Sequence, residues 1–138
     1  MIDKENEVIT RVAEALGDGV DIDSVYVNLP NTFPHVNIYQ ADSYPVYDDG
    51  SLAEKYTYMT FEVNIFSNDQ HGRKSECKRL AAIVSDTMRR MNFRRTAMTP
   101  VRNSTQTTVY GTDVHDETVY KLTLRFEGVA SETHFYRR

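Results

Sequence analysis

Asp113-Val114-His115-Asp116-Glu117 packs four carboxylate or imidazole groups into five residues, a dense collection of proton-transfer and metal-binding side chains. Neighbours at i and i+2 on a strand share one face, which is how a partial metal shell begins. Completing it requires a second cluster, and His35, His71 and His134 stand singly elsewhere in the sequence. The segment therefore reads as a polar surface turn. Cys77 is the lone cysteine, so neither an internal disulfide nor a cysteine zinc cage is available. It falls on an apolar helical stripe, where cysteine behaves as a small hydrophobe rather than a nucleophile. No serine sits in a Gly-x-Ser-x-Gly elbow, and the six glycines form neither a dinucleotide fingerprint nor a Walker loop. Asp48 and Asp49 beside Gly50 are turn chemistry rather than an acid–base pair. The expectation is a protein that is not an enzyme and needs no metal or cofactor.

Charge offers more. Arg89-Arg90-Met91-Asn92-Phe93-Arg94-Arg95 sets four arginines around an aromatic ring. Such a run fits a phosphate backbone, the carboxylates of a protein partner, or a plain solvated helix end. A pI near 5.5 and an acidic first half oppose a polyanion, so any DNA contact is expected to be unspecific. Residues 1–70 sum to −10 and residues 71–138 to +6. Both signs on one chain suit a head-to-tail contact between copies, which closes into a ring when the rotation permits. A compact fold that mixes the two halves would instead average the surface. Nine tyrosines without tryptophan is a composition that interfaces favour. Tyr44, Tyr47, Asp48, Asp49, Arg89, Arg90, Arg94 and Arg95 are the expected interface residues, with Asp42 and Glu54 as further anions. Tyr56 and Tyr58 fit either an interface or a sheet face covered by a helix.

The elements that must carry these groups follow from periodicity. Val8, Ile9, Val12, Ala13 and Leu16 recur at helical steps, with Asp3 as N-cap and an end at Gly17 or Gly19. Residues 24–27 read as a short strand and 35–41 as another. Residues 42–55, with Pro45, Asp48, Asp49 and Gly50, read as a long polar hairpin loop. Residues 56–66 alternate: Met59, Phe61, Val63 and Ile65 on one side, Tyr58, Thr60, Glu62 and Asn64 on the other. Cys77, Leu80, Ala81, Val84, Met88 and Met91 form the stripe of a second helix, expected to pack on Phe61, Val63, Leu122 and Leu124. Strands follow at 93–98, 105–110, 118–129 and 133–136; in the third, Tyr120, Leu122, Leu124 and Phe126 face inward.

The order predicts one α+β domain over residues 1–138, two helices packed on a mostly antiparallel β-sheet with a long hairpin loop. Its 138 residues are enough for a real core. No apolar run approaches the ~20 residues that span a bilayer, and the opening residues lack signal-peptide order. No membrane partner is expected.

Val119-Tyr120-Lys121-Leu122-Thr123-Leu124-Arg125-Phe126-Glu127-Gly128-Val129, followed by Phe135-Tyr136-Arg137-Arg138, resembles the end of tail-completion proteins of tailed bacteriophages, the tail terminator or head–tail joining proteins. Phe33-Pro34-His35-Val36-Asn37-Ile38-Tyr39 entering a hairpin, a long strand and one amphipathic helix resembles their opening. The resemblance implies an α/β sandwich with a projecting hairpin loop. It implies a homo-oligomeric ring, commonly a hexamer, that caps the finished tail tube and docks it to the head. The partners would be further copies, the tail tube protein and a head-completion protein. The place would be the neck of the virion, after synthesis in the bacterial cytoplasm. The family supplies no catalytic residue to carry over. The alternative from the residues is a small nucleic-acid-binding or regulatory module using the 89–95 patch.

Overall fold

Two helices and seven strands appear among the described residues, 1–25, 29–47, 50 and 54–136 of the computed structural model, with backbone alone at Thr108 and Tyr110. In chain order they are α1 (Glu5–Leu16), β1 (Asp21–Asp23), β2 (His35–Tyr47), β3 (Glu54–Asn68), α2 (Arg73–Arg90), β4 (Arg94–Met98), β5 (Arg102–Tyr110), β6 (Asp113–Ala130) and β7 (Phe135–Tyr136). They form one sheet in the order β1-β2-β3-β6-β4, with β5 and β7 also paired to β6. The β1–β2 pair is parallel and every other pair antiparallel. An α+β architecture is the outcome, as the pattern predicts.

Both helices lie on one face. Val8, Val12 and Leu16 of α1 and Cys77, Leu80, Ala81, Val84 and Met88 of α2 bury against Val36, Ile38, Phe61, Val63, Ile65, Leu122, Leu124 and Phe126. The three- and four-residue spacing on the helices meets the two-residue spacing on β3 and β6, so one face of each is dry. The N-cap of α1 is Lys4 rather than Asp3, with no capping side chain; Asp3 Oδ1 accepts the Glu5 N–H at 3.1 Å in the turn just before the helix. Gly128 is where β6 and the α2–β4 junction come closest: a Cβ there would lie 2.6 Å from Phe93 Cδ1.

Several expectations are corrected. The first strand is Asp21–Asp23, and Ser24 and Val25 are a bend rather than strand: Asp23 Oδ1 accepts the Val25 N–H at 3.0 Å, a turn that ends β1. Tyr26 and Val27 lie outside the described residues. Residues 42–47 and 54–55 are not loop but strand, paired Asp42↔Thr60 through Tyr47↔Glu54. Pro45 is tolerated because β1 pairs with β2 only at residues 35–37, leaving β2 an edge there. Asp48 and Asp49 lie outside the described residues. Residues 113–117 are not a turn; they pair with β5 from Tyr110↔Asp113 to Gln106↔Glu117. Asn64 does not face water: on the second sheet face, Asn64 Nδ2 donates to Asn37 Oδ1 at 3.4 Å and Thr123 donates to Asn64 Oδ1 at 2.8 Å. Asn37 in turn donates to the Val25 carbonyl.

Candidate functional site

The ladder register places two-stranded extensions at opposite ends of the sheet, one of them bare. Thr57 pairs with Ala130, the last residue of β6; beyond it only β2 and β3 continue, a first arm. At the other end Asn68 pairs with Val119; beyond it β6 has β5 as its partner, a second arm. The second arm extends about 20 Å at ~3.3 Å per residue over 113–118. Residues 113–117 of the second arm are exposed on both faces, and such a two-stranded ribbon is marginal by itself, so a docked partner would stabilise it. The first arm is steadied by Ile2 and Tyr136.

The tyrosines lie on the first arm and at its root, where Tyr58 still pairs with Val129. Tyr44 and Tyr47 are 67% and 53% exposed. Tyr44 stands directly across from Tyr58, and Tyr56 meets Tyr58 and Tyr136 edge-on at 5.9 and 6.4 Å. Tyr56 is half-buried by those rings while Tyr58 remains exposed; the helices lie on the other face. Glu54 is not an outward anion, because its Oε2 accepts the Ile2 N–H at 2.9 Å and the Thr57 hydroxyl at 3.2 Å.

The second arm was missed by sequence reasoning as a projection. Gly111, at φ +62°, begins its two-residue turn, which requires a positive φ at that position. Near the tip Val109 and Val114 form a cross-strand pair, each 61% exposed. Asp113 and Asp116 flank them, and Asp116 accepts the Thr107 hydroxyl at 2.7 Å. The root is tied down: Asn68 Nδ2 donates to Glu117 at 2.7 Å and the Tyr120 hydroxyl donates to Asp69 at 3.0 Å. That hydrogen bond to Asp69 pushes the Tyr120 phenol above its ordinary range. His115 lies on this arm, and no three His, Cys, Asp or Glu side chains converge among the described residues.

The arginine run divides between two elements. Helix α2 ends in a Schellman turn: the Phe93 N–H donates to the Met88 carbonyl at 3.0 Å and the Asn92 N–H to Arg89 at 2.9 Å. Asn92 takes φ +66° at the position where this motif needs a left-handed residue. Arg89 and Arg90 thus leave the last turn of α2, and Arg94 and Arg95 open β4. Arg89, Arg94 and Arg95 line one cleft of about 630 Å³ over Phe93 and Phe126. It adjoins a 310 Å³ groove between α2 and β4, bounded by Lys78, Ala82, Arg95, Met98 and Pro100. Ser85 lines both, and its buried Oγ has no hydrogen-bond partner among the described residues.

Two carboxylates of the chain itself answer part of this positive charge. Arg89 and Arg90 reach Asp86 at 2.7 and 2.9 Å, and Arg94 reaches Glu127 at 3.8 Å. The hydrogen bond from Arg89 holds the Asp86 carboxyl below its usual range. Arg95 and Lys78 pair with no carboxylate among the described residues. Cys77 is fully buried beside Ser67 Oγ at 3.3 Å, and burial pushes its thiol up.

No family model matches the chain, and no curated protein matches it. No helix among the described residues is long and apolar enough to cross a membrane.

Proposed function

We propose that this protein is a structural assembly protein, not an enzyme, whose copies join head to tail into a ring that caps a phage tail tube and docks it to the head. The single observation that carries this reading is the bare β5–β6 ribbon projecting beyond one end of the sheet. An element that is marginal alone and projects from a rigid body is suited to bridging to a neighbour. Different surfaces at the two ends favour heterologous contacts, which close into rings. The tail terminator and head–tail joining proteins that the chain resembles supply the particular assembly: a ring in the virion neck between tail tube protein and head-completion protein. The reading involves no cofactor and no catalytic step.

The nucleic-acid alternative weakens on one observation. Three of the four arginines of the 89–95 run are paired with carboxylates of their own chain, which leaves less charge for phosphates. The test is pelleting of the protein with polymerised tail tube protein and, separately, titration with duplex DNA over a salt series. Retention on tube ends without salt-sensitive DNA binding is the expected result. Salt-sensitive DNA binding without tube retention would replace this reading with the alternative.

A further inference from the structure

We propose that the tip of the β5–β6 arm of one copy seats in the groove between α2 and β4 of the next. The inference rests on the self-assembly reading and assigns its contact surfaces. Charge matches first: Lys78 and Arg95 bound the groove without carboxylate partners among the described residues, and the tip carries Asp113 and Asp116. Apolar surface matches next. The groove offers Ala82, Met98 and Pro100, with Met98 half exposed, and the tip offers the exposed Val109 and Val114 pair. A volume of 310 Å³ holds about ten waters at roughly 30 Å³ each, which seated valines would displace.

A copy cannot fill its own groove this way. Met98 pairs with Leu124, and Val114 lies farther along the same strand by roughly 33 Å at ~3.3 Å per residue. The contact must therefore join two copies, and passed on in one direction from copy to copy it is heterologous. β4 suits the receiving side, because it ends the strand order and all five of its residues are exposed. The first arm is a poorer occupant: its exposed apolar groups are the bulkier Tyr44 and Tyr47, and it projects from the other end of the sheet.

The experiment is engineered disulfide capture in the full chain. Val114→Cys and Met98→Cys are combined in one chain and compared with each single variant and with Tyr44→Cys/Met98→Cys. Both principal sites are exposed, and a disulfide needs Cα atoms about 4.4–6.8 Å apart, so an intrachain bond is out of reach. Mild oxidation should convert the Val114→Cys/Met98→Cys chain into a ladder of covalent oligomers, with none from either single variant. Charge reversal supplies a second measurement. Lys78→Glu with Arg95→Glu should raise the concentration at half-assembly about tenfold, and adding Asp113→Lys with Asp116→Lys should restore it. Oligomers that form without the ladder would overturn the groove assignment and leave the self-assembly reading standing. A dimer from Val114→Cys alone, or a ladder only from the Tyr44→Cys chain, would overturn it in favour of another contact. A wild-type chain that is monomeric at every concentration would overturn both.

Discussion

Replacing Gly128 with alanine should destabilise the protein through one identifiable collision. The added methyl would lie 2.6 and 2.7 Å from Phe93 Cδ1 and Cε1. Carbon atoms rest at about 3.5–4.0 Å, so the ring must retreat by roughly 1 Å. It has little room to do so. Phe93 is buried, stands edge-on to Phe61 at 5.4 Å, packs on Phe135 at 5.6 Å, and is held by its own N–H at the end of α2. Overpacking of this kind costs about 1–3 kcal/mol. Phe93→Ala alone should cost about 3–5 kcal/mol through the cavity it leaves. The double variant should cost about 1–2 kcal/mol less than the two effects added, because the new methyl then enters vacated space. Urea melts at concentrations below assembly give the three values, provided the slope of each transition is unchanged. A neutral Gly128→Ala, or additivity within about 0.5 kcal/mol, would refute the close approach.

Leu80→Ala should cost about 2–5 kcal/mol, since Leu80 is fully buried between α2 and the sheet; a change under about half a kcal/mol in denaturant melts would mean that the stripe packs elsewhere. The hydrogen bond from the Thr32 hydroxyl, aided by His35, holds the Asp21 carboxyl below its ordinary value. Its contribution is thus present above that ordinary value and fades as pH falls through the lowered one, so Asp21→Asn should flatten the acid limb of stability below about pH 4. Unfolding midpoints of the two chains at matched pH test this; parallel acid limbs would contradict it. Burial raises the Cys77 thiol, so a disulfide reagent should react with it only on unfolding, and rapid reaction of the native protein would place it at the surface.

Where one face is dry and the other wet, the sequence states the fold directly. The stripe of α2, the alternation in β3 from Met59 to Ile65, and that of β6 from Leu122 to Phe126 all meet in one core. Where both faces are wet, alternation vanishes. Residues 113–117 form half of a ribbon exposed on both sides, so nothing in their hydropathy distinguishes strand from turn. The Gly111-Thr112 dipeptide between two β-prone runs was the available signal, and it marks the hairpin. Residues 42–47 fail for a related reason: Pro45 and Asp42 argue against a ladder unless the strand is known to be an edge. The buried Asn37–Asn64–Thr123 chain was illegible because polar residues on a strand ordinarily face water. The arginine run was visible, yet only the chain reversal at Asn92 shows that it wraps a cleft. Only the fold shows that three of its guanidinium groups share two carboxylates, Asp86 and Glu127, while Arg95 and Lys78 have none among the described residues.

The most direct test of self-assembly through oppositely charged, oppositely placed surfaces is the mass of the wild-type chain in solution across a salt series. At low ionic strength sedimentation should show one discrete species, a whole multiple of the 15.9 kDa protomer, rather than a continuous distribution. That species should give way to smaller ones as salt shortens the reach of surface charges from about 10 Å at 0.1 M to about 3 Å at 1 M. A protomer-sized boundary at every protein and salt concentration, or an oligomer indifferent to salt, would contradict the account.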